Sequence, residues 1–221
     1  MPTRKWSWLV LAISGFLALI MGGGSTSGAE ADSTSSTART LVLEDFHKPD
    51  NQKFPEGWEA QRSLETAKRT YTLHQEGGTG YLTAKDANQR VYMRTAWDPK
   101  AFPVMTWRWR LKEAHKEAEV LAAVYISLDT DLLLIPVSTK YVWSATKPKG
   151  TVTEGGLFGA TEIVLRSGRE PVGEWVEERV NAYEEFKRIH GHEPAPEAWG
   201  ISLLGGSGVE VDFGSIRASA Q

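Results

Sequence analysis

Pro103-Val104-Met105-Thr106-Trp107-Arg108-Trp109-Arg110-Leu111-Lys112 alternates without a break. Met105, Trp107, Trp109 and Leu111 fall on one side, and Thr106, Arg108, Arg110 and Lys112 on the other. A period of two is the pattern of a β-strand with one buried face. Two tryptophans on that face carry a large apolar area, and each indole N–H then needs a partner. The opposite face carries three cations, which are either solvated or line a groove.

Working outward, short strands with turn signals follow one another in both directions. Thr40 to Phe46 reads as the first strand, and Pro49 to Gly57 as a loop. Short strands are expected at Trp58, Arg69–Gln75, Tyr81–Ala84 and Arg90–Arg94, with Glu76-Gly77-Gly78-Thr79-Gly80 as a hairpin turn. Beyond the central strand, Val120–Asp129 has one fully apolar face. Leu132–Val137 is apolar on both faces, which predicts a strand covered on both sides, and Thr139–Ser144 continues it. Thr161–Ser167, Ala198–Leu204 and Val209–Phe213 complete the set. One segment has a helical period: Glu174–His190 repeats Val176, Val180, Tyr183 and Phe186 at three and four, with acids in its first turn and bases in its last. Gly191 ends it. The expected fold is all-β, an antiparallel β-sandwich of jelly-roll type with one amphipathic helix near the C-terminus, and a β-barrel is the alternative.

The N-terminus reads as an export signal. Arg4 and Lys5 precede an apolar run, Trp8 to Met21, which is shorter than the roughly 20 residues of a membrane span. Ser27-Gly28-Ala29 and Ala29-Glu30-Ala31 place small residues where a signal peptidase reads, so cleavage is expected after Ala29 or Ala31; an uncleaved anchor is the alternative. The expected division is a signal peptide at 1–29, a polar disordered lead at 30–39 and one domain at 40–218. The 221 residues contain no cysteine, which excludes disulfides, thiolate metal sites and cysteine nucleophiles. An exported chain without disulfides fits a bacterial periplasm or exterior. Residues 1–29 hold two of the 25 basic residues and none of the 28 acidic ones, so the mature chain carries 23 against 28, or about −5. That balance argues against nucleic acid as the partner, and the mature chain has no second apolar run of spanning length.

Trp107-Arg108-Trp109-Arg110, Val124-Tyr125-Ile126, Tyr141-Val142-Trp143-Ser144, Val164-Leu165-Arg166-Ser167-Gly168 and Trp175-Val176-Glu177-Glu178-Arg179, in that order, resemble the bacterial exported proteins grouped as domain-of-unknown-function family 3047. The resemblance spans Leu41 to Arg217. It implies an exported β-sandwich and carries no activity with it. Where the family's pattern has a pair of aspartates and an arginine around the Val-Tyr-Ile strand, this chain has Ala118, Glu119 and Ala123. Ala182 replaces a further acid, and Gly205-Gly206-Ser207-Gly208 replaces an acidic turn. The resemblance therefore implies a divergent member, most of whose family acids are gone.

For function, the leading expectation is a non-catalytic surface that binds a carbohydrate or similar polar ligand. Aromatic faces stack on sugar C–H surfaces, and Arg or Glu bind hydroxyls and uronate carboxylates. The candidate ligand-binding residues are Arg108, Arg110, Tyr141, Trp143, Glu162 and Arg166, which form a cationic aromatic groove if their strands are neighbours; Tyr141 and Trp143 are core residues if they are not. A polysaccharide-active hydrolase or lyase is the alternative, with Asp129, Asp131 and Glu162 as the available acids, though Asp129-Thr130-Asp131 also reads as a simple turn. A structural or protein-interaction module is a further alternative. There is no Gly-x-Ser-x-Gly, His-Glu-x-x-His or phosphate loop. His190-Gly191-His192 reads as a solvated helix end and Asp129 with Asp131 lacks the rest of a calcium loop, so no metal or cofactor is expected.

Overall fold

The computed structural model describes residues 39–131, 133–156 and 159–221. The expected signal segment at 1–29, with its cleavage sites, and residues 30–38 of the polar lead lie outside the described residues.

In chain order the elements are β1 (Thr40–Glu44), β2 (Glu59–Ala60), α1 (Leu64–Thr70), β3 (Tyr71–Glu76), β4 (Thr79–Lys85), β5 (Val91–Arg94) and β6 (Val104–Ala114). They continue with β7 (Val120–Thr130), β8 (Pro136–Ser144), β9 (Val152–Thr153), β10 (Thr161–Ser167), β11 (Val176–Asn181), α2 (Ala182–His190), β12 (Gly200–Gly205) and β13 (Val209–Ser219). One sheet runs β11-β6-β13-β4-β3, with β1 also paired to β13, and the other runs β2-β5-β12-β7-β8-β10-β9. The quartet β4-β13-β6-β11 therefore lies in one sheet and β5-β12-β7-β8 in the other, with the chain crossing repeatedly between them. That is the strand order of a jelly roll, as the sequence pattern predicts, and both sheets keep open edges rather than closing into a barrel. Strands pair antiparallel except β8 with β10, and an isolated parallel bridge joins Leu111 to Val172.

The alternation of β6 is realised as written. Met105, Trp107, Trp109 and Leu111 are all buried. Across the sandwich, Trp107 meets Tyr141 at 5.5 Å between ring centroids and Trp109 meets Trp143 at 5.8 Å. By area, each buried indole contributes on the order of 4–6 kcal/mol. Three of the four polar atoms of this stack are bonded at its edges, while Trp107 Nε1 is buried with no partner among the described residues, against the expectation that each indole N–H finds one. Trp143 Nε1 donates to the Gly168 carbonyl (2.8 Å), Trp109 Nε1 to Glu178 (3.2 Å), and the Tyr141 hydroxyl to Glu185 on α2 (2.6 Å).

Three expectations are corrected. The helix starts at Ala182; Val176–Asn181 is instead a strand paired antiparallel with β6, Val176 opposite Trp109. Val176 and Val180 share a face in either conformation, because a spacing of four is even and is also about one helical turn. Val176, Glu178 and Val180 face inward from this strand, more covered than Glu177 and Arg179. The cap of α2 is then Asn181, whose side chain accepts from Glu184 N at 3.0 Å, and Gly191 closes it with φ 73°. The second correction is Leu132–Val137. The strand begins at Pro136, and Leu133 and Leu134 are 71% and 78% exposed at the tip of the β7–β8 hairpin. Asp131 sets that turn by accepting the N–H groups of Leu133 and Ile135, both at 2.8 Å. Third, α1 is an additional helix. It is capped by Ser63, which accepts from Thr66 N at 3.2 Å, and its 7 residues are too few to show a period.

Candidate functional site

The site is built on the outward face of the second sheet, and strand alternation puts it there. In β5, Val91 and Met93 pack on the core, so Tyr92 and its neighbours Arg90 and Arg94 face out. In β12, Ile201 and Leu203 pack inward and Gly200 and Ser202 face out. In β7, Val124 and Ile126 pack inward and Tyr125 and Ser127 face out. Register joins them: Ser202 lies opposite both Tyr92 and Tyr125, Gly200 opposite both Arg94 and Ser127, and Ser127 opposite Ser138. The result is a cleft of about 280 Å³ with Tyr92, Trp199, Arg90 and Gln61 around it, and Ser127, Ser138 and Ser202 buried in its wall.

Tyr92 and Trp199 sit 5.7 Å apart, inclined at 37°. The Arg94 guanidinium lies 5.5 Å from the Trp199 ring, and that of Arg90 lies 4.7 Å from Tyr125. Neither arginine has a carboxylate partner among the described residues. The Ser127 and Ser138 hydroxyls are 2.7 Å apart, one donating its proton to the other. One O–H and several lone pairs therefore remain for a guest. The Ser202 hydroxyl has no partner among the described residues. Gly200 is needed here: its φ is 151°, and a Cβ would sit 2.2 Å from the Met93 carbonyl oxygen. The Tyr92 hydroxyl donates to Glu59 at 2.7 Å, and that bond raises its pKa. Burial raises the pKa of Tyr125, against an opposing effect of Arg90. Both phenols are therefore neutral hydroxyls at physiological pH. Inclined aromatic faces, uncommitted hydroxyls and two unpaired cations suit a guest with C–H faces and many oxygens.

The six residues singled out from the sequence do not form one groove. Tyr141 and Trp143 are wholly buried between the sheets, because β8 pairs with β7 in a register that sets them opposite Val124 and Ala122. They are core, and the expected ligand contact is corrected. Arg108 and Arg110 lie on the outer face of the first sheet, their guanidiniums 4.5 and 4.4 Å from the Trp175 ring. Arg110 is buried and committed to Asp212 at 2.8 Å and Glu76 at 3.0 Å. Glu162 lies on the second sheet, where Lys140 and Lys147 each hold it at 2.7 Å. Burial opposes its ionisation, but the two lysines outweigh that and its pKa is lowered. Arg166 bridges the sandwich edge to Glu178 and lies 5.7 Å from the Trp143 ring.

Tyr92, Arg90, Trp199 and the three serines are not among the residues that the sequence pattern singles out. Their signal was present in part, since Arg90-Val91-Tyr92-Met93-Arg94 alternates, but nothing in the period reveals that β5, β12, β7 and β8 are neighbours. Ala123 packs with Tyr125 and Val142 in a small outward apolar cluster. At Gly206 a Cβ would lie 1.8 Å from the Val120 carbonyl oxygen.

Fold and cleft define a two-sheet jelly roll with a polar-aromatic cleft on one outer face. The family described as a protein of unknown function (DUF3047) matches residues 134–207. This supports the family resemblance read from the sequence, over a shorter stretch than the motifs suggested. No curated protein matches the sequence. Among solved structures, the chain is similar to the family 30 carbohydrate-binding module of a cellulosomal cellulase from Clostridium thermocellum, at 10% identity and TM-score 0.46, over 83% of this chain and 98% of that one. It is also similar to the K1 cleaved adhesin domain of Lys-gingipain from Porphyromonas gingivalis W83, at 13% identity and TM-score 0.44, over 83% and 99%.

Proposed function

We propose that this protein is an exported, non-catalytic binder of a carbohydrate or similarly hydroxyl-rich ligand, held in the cleft that Tyr92 and Trp199 line together. The observation that carries the reading is the set of Ser127, Ser138 and Ser202, buried hydroxyls with unused hydrogen-bonding capacity beside two inclined aromatic rings. A buried hydroxyl whose hydrogen-bonding capacity is only partly used carries a desolvation cost that a ligand's oxygens can offset. Export to the bacterial periplasm or exterior rests on the Trp8–Met21 run and the small residues after it. The test is binding of neutral and anionic oligosaccharides to the mature chain, with Trp199→Ala and Ser202→Val as the variants that abolish it.

A hydrolase is the second reading, favoured by one observation. An adjoining cleft of about 250 Å³ shares Trp199 and is lined by two carboxylates, Asp129 and Glu197. Two carboxylates across a cleft are what glycoside hydrolysis uses. Turnover of any bound glycan that is lost in both Asp129→Asn and Glu197→Gln supports this reading over simple binding.

A further inference from the structure

The outer face of the first sheet carries a second, smaller pocket of about 170 Å³, lined by Thr79, Thr106, Arg108, Glu177, Ser215 and Arg217. It arises from one irregularity. The pairing of β13 with β6 shifts between Phe213 and Ile216, which places Gly214 and Ser215 in a bulge. Gly214 has no side chain, so the stem of Arg108 lies directly across it; a Cβ there would be 2.5 Å from both Cγ and Nε of Arg108. Trp175 covers the guanidinium from the other side at 4.5 Å. Arg108 Nε is thereby buried and has no hydrogen-bond partner. Arg217 comes from the strand beside Arg108, opposite Thr106 in register.

Arg110, one step along the same strand face, shows what a committed arginine looks like here, with Asp212 and Glu76 both on it. Arg108 and Arg217 have no carboxylate within 4.0 Å among the described residues, and the hydroxyls of Thr79, Thr106 and Ser215 have no partner there either. Two free guanidiniums and three free hydroxyls converge on one pocket. We propose that it binds a tetrahedral oxyanion, a sulfate or phosphate group, either free or carried on a larger ligand. Guanidinium N–H forks pair well with such groups, and short hydroxyls can donate to the remaining oxygens. Glu177, exposed at the rim, opposes the anion and limits its affinity. This site is separate from the Tyr92–Trp199 cleft and does not depend on its function.

The test is thermal shift and calorimetry of the mature chain with sodium sulfate, inorganic phosphate, acetate and glucuronate, each against chloride at equal ionic strength. Sulfate or phosphate is expected to stabilise the protein. The effect is lost in Arg217→Gln, an exposed position where folding is not at stake, and in Arg108→Gln. Glu177→Gln is expected to tighten binding about two- to fivefold, the worth of removing one exposed like charge. Trp199→Ala leaves the effect unchanged. Phosphate added on a glycan distinguishes a carried group from a free ion by its higher affinity. An equal shift with chloride, equal binding of acetate, or a sulfate effect that survives Arg217→Gln overturns the proposal.

Discussion

Trp109 of one sheet and Trp143 of the other meet across the middle of the sandwich, 5.8 Å apart and inclined at 48°. The contact makes Trp143 a structural residue. Trp143→Ala removes a fully buried indole and is expected to cost about 3–5 kcal/mol, the range for emptying a large aromatic site. Urea unfolding measures it. A loss below about 1 kcal/mol, or a selective loss of glycan binding in a fully stable variant, contradicts the assignment.

Tyr141→Phe is a finer probe of the same core. The ring stays, but Glu185 loses the hydroxyl that donates to it at 2.6 Å. A hydrogen bond to a charged group contributes about 1.5–3 kcal/mol, so the variant should unfold earlier in urea by an amount in that range while folding normally. An unchanged midpoint contradicts the bond.

Arg110 and Asp212 form a buried pair, with Thr83 also donating to Asp212 at 2.7 Å. Asp212→Ala leaves the guanidinium buried against Glu76 alone. The expected loss is about 3–5 kcal/mol, whereas Arg110→Met with Asp212→Leu should recover much of it, since replacing both charges avoids an unpaired one. Equal losses in the single and double variants contradict this account.

His190 predicts a pH dependence. Burial lowers its pKa below the ordinary value, and His192 adds to the effect while Asp129 opposes it. Its Nε2 is buried without a partner. Because the folded value lies below the unfolded one, the neutral ring is favoured on folding. The contribution is fully present above about pH 6.5 and is lost as pH falls toward the lowered value. Melting temperature should therefore drop between pH 7.5 and 5 more steeply in the natural protein than in His190→Gln. Parallel profiles contradict the prediction.

Much of the fold was legible in the residues because a period of two is explicit in β6, β7 and β13. The jelly-roll class followed from short strands and frequent turns. What was not legible depends on partners. Val176 and Val180 satisfy a helix and a strand equally, and only pairing with β6 decides between them. Leu133 and Leu134 look like core, yet Asp131 turns the chain and leaves them exposed. The site was less legible still. Arg108 and Arg110 face outward as expected, but the aromatic residue against them is Trp175, which the helical period of the sequence puts at a helix start. Tyr141 and Trp143 are aromatic residues on an alternating strand, and alternation does not say which face is the core.

The most direct test of the central claim is a thermal-shift titration of the chain from residue 30 against neutral and anionic oligosaccharides. At a hundred times its Kd, a ligand should stabilise the protein by about 2.7 kcal/mol. The account predicts such a shift for at least one glycan, its loss in Trp199→Ala and Ser202→Val, and its survival in Arg217→Gln when the glycan carries no sulfate or phosphate. No shift with any glycan, or a shift that persists in Trp199→Ala, contradicts it.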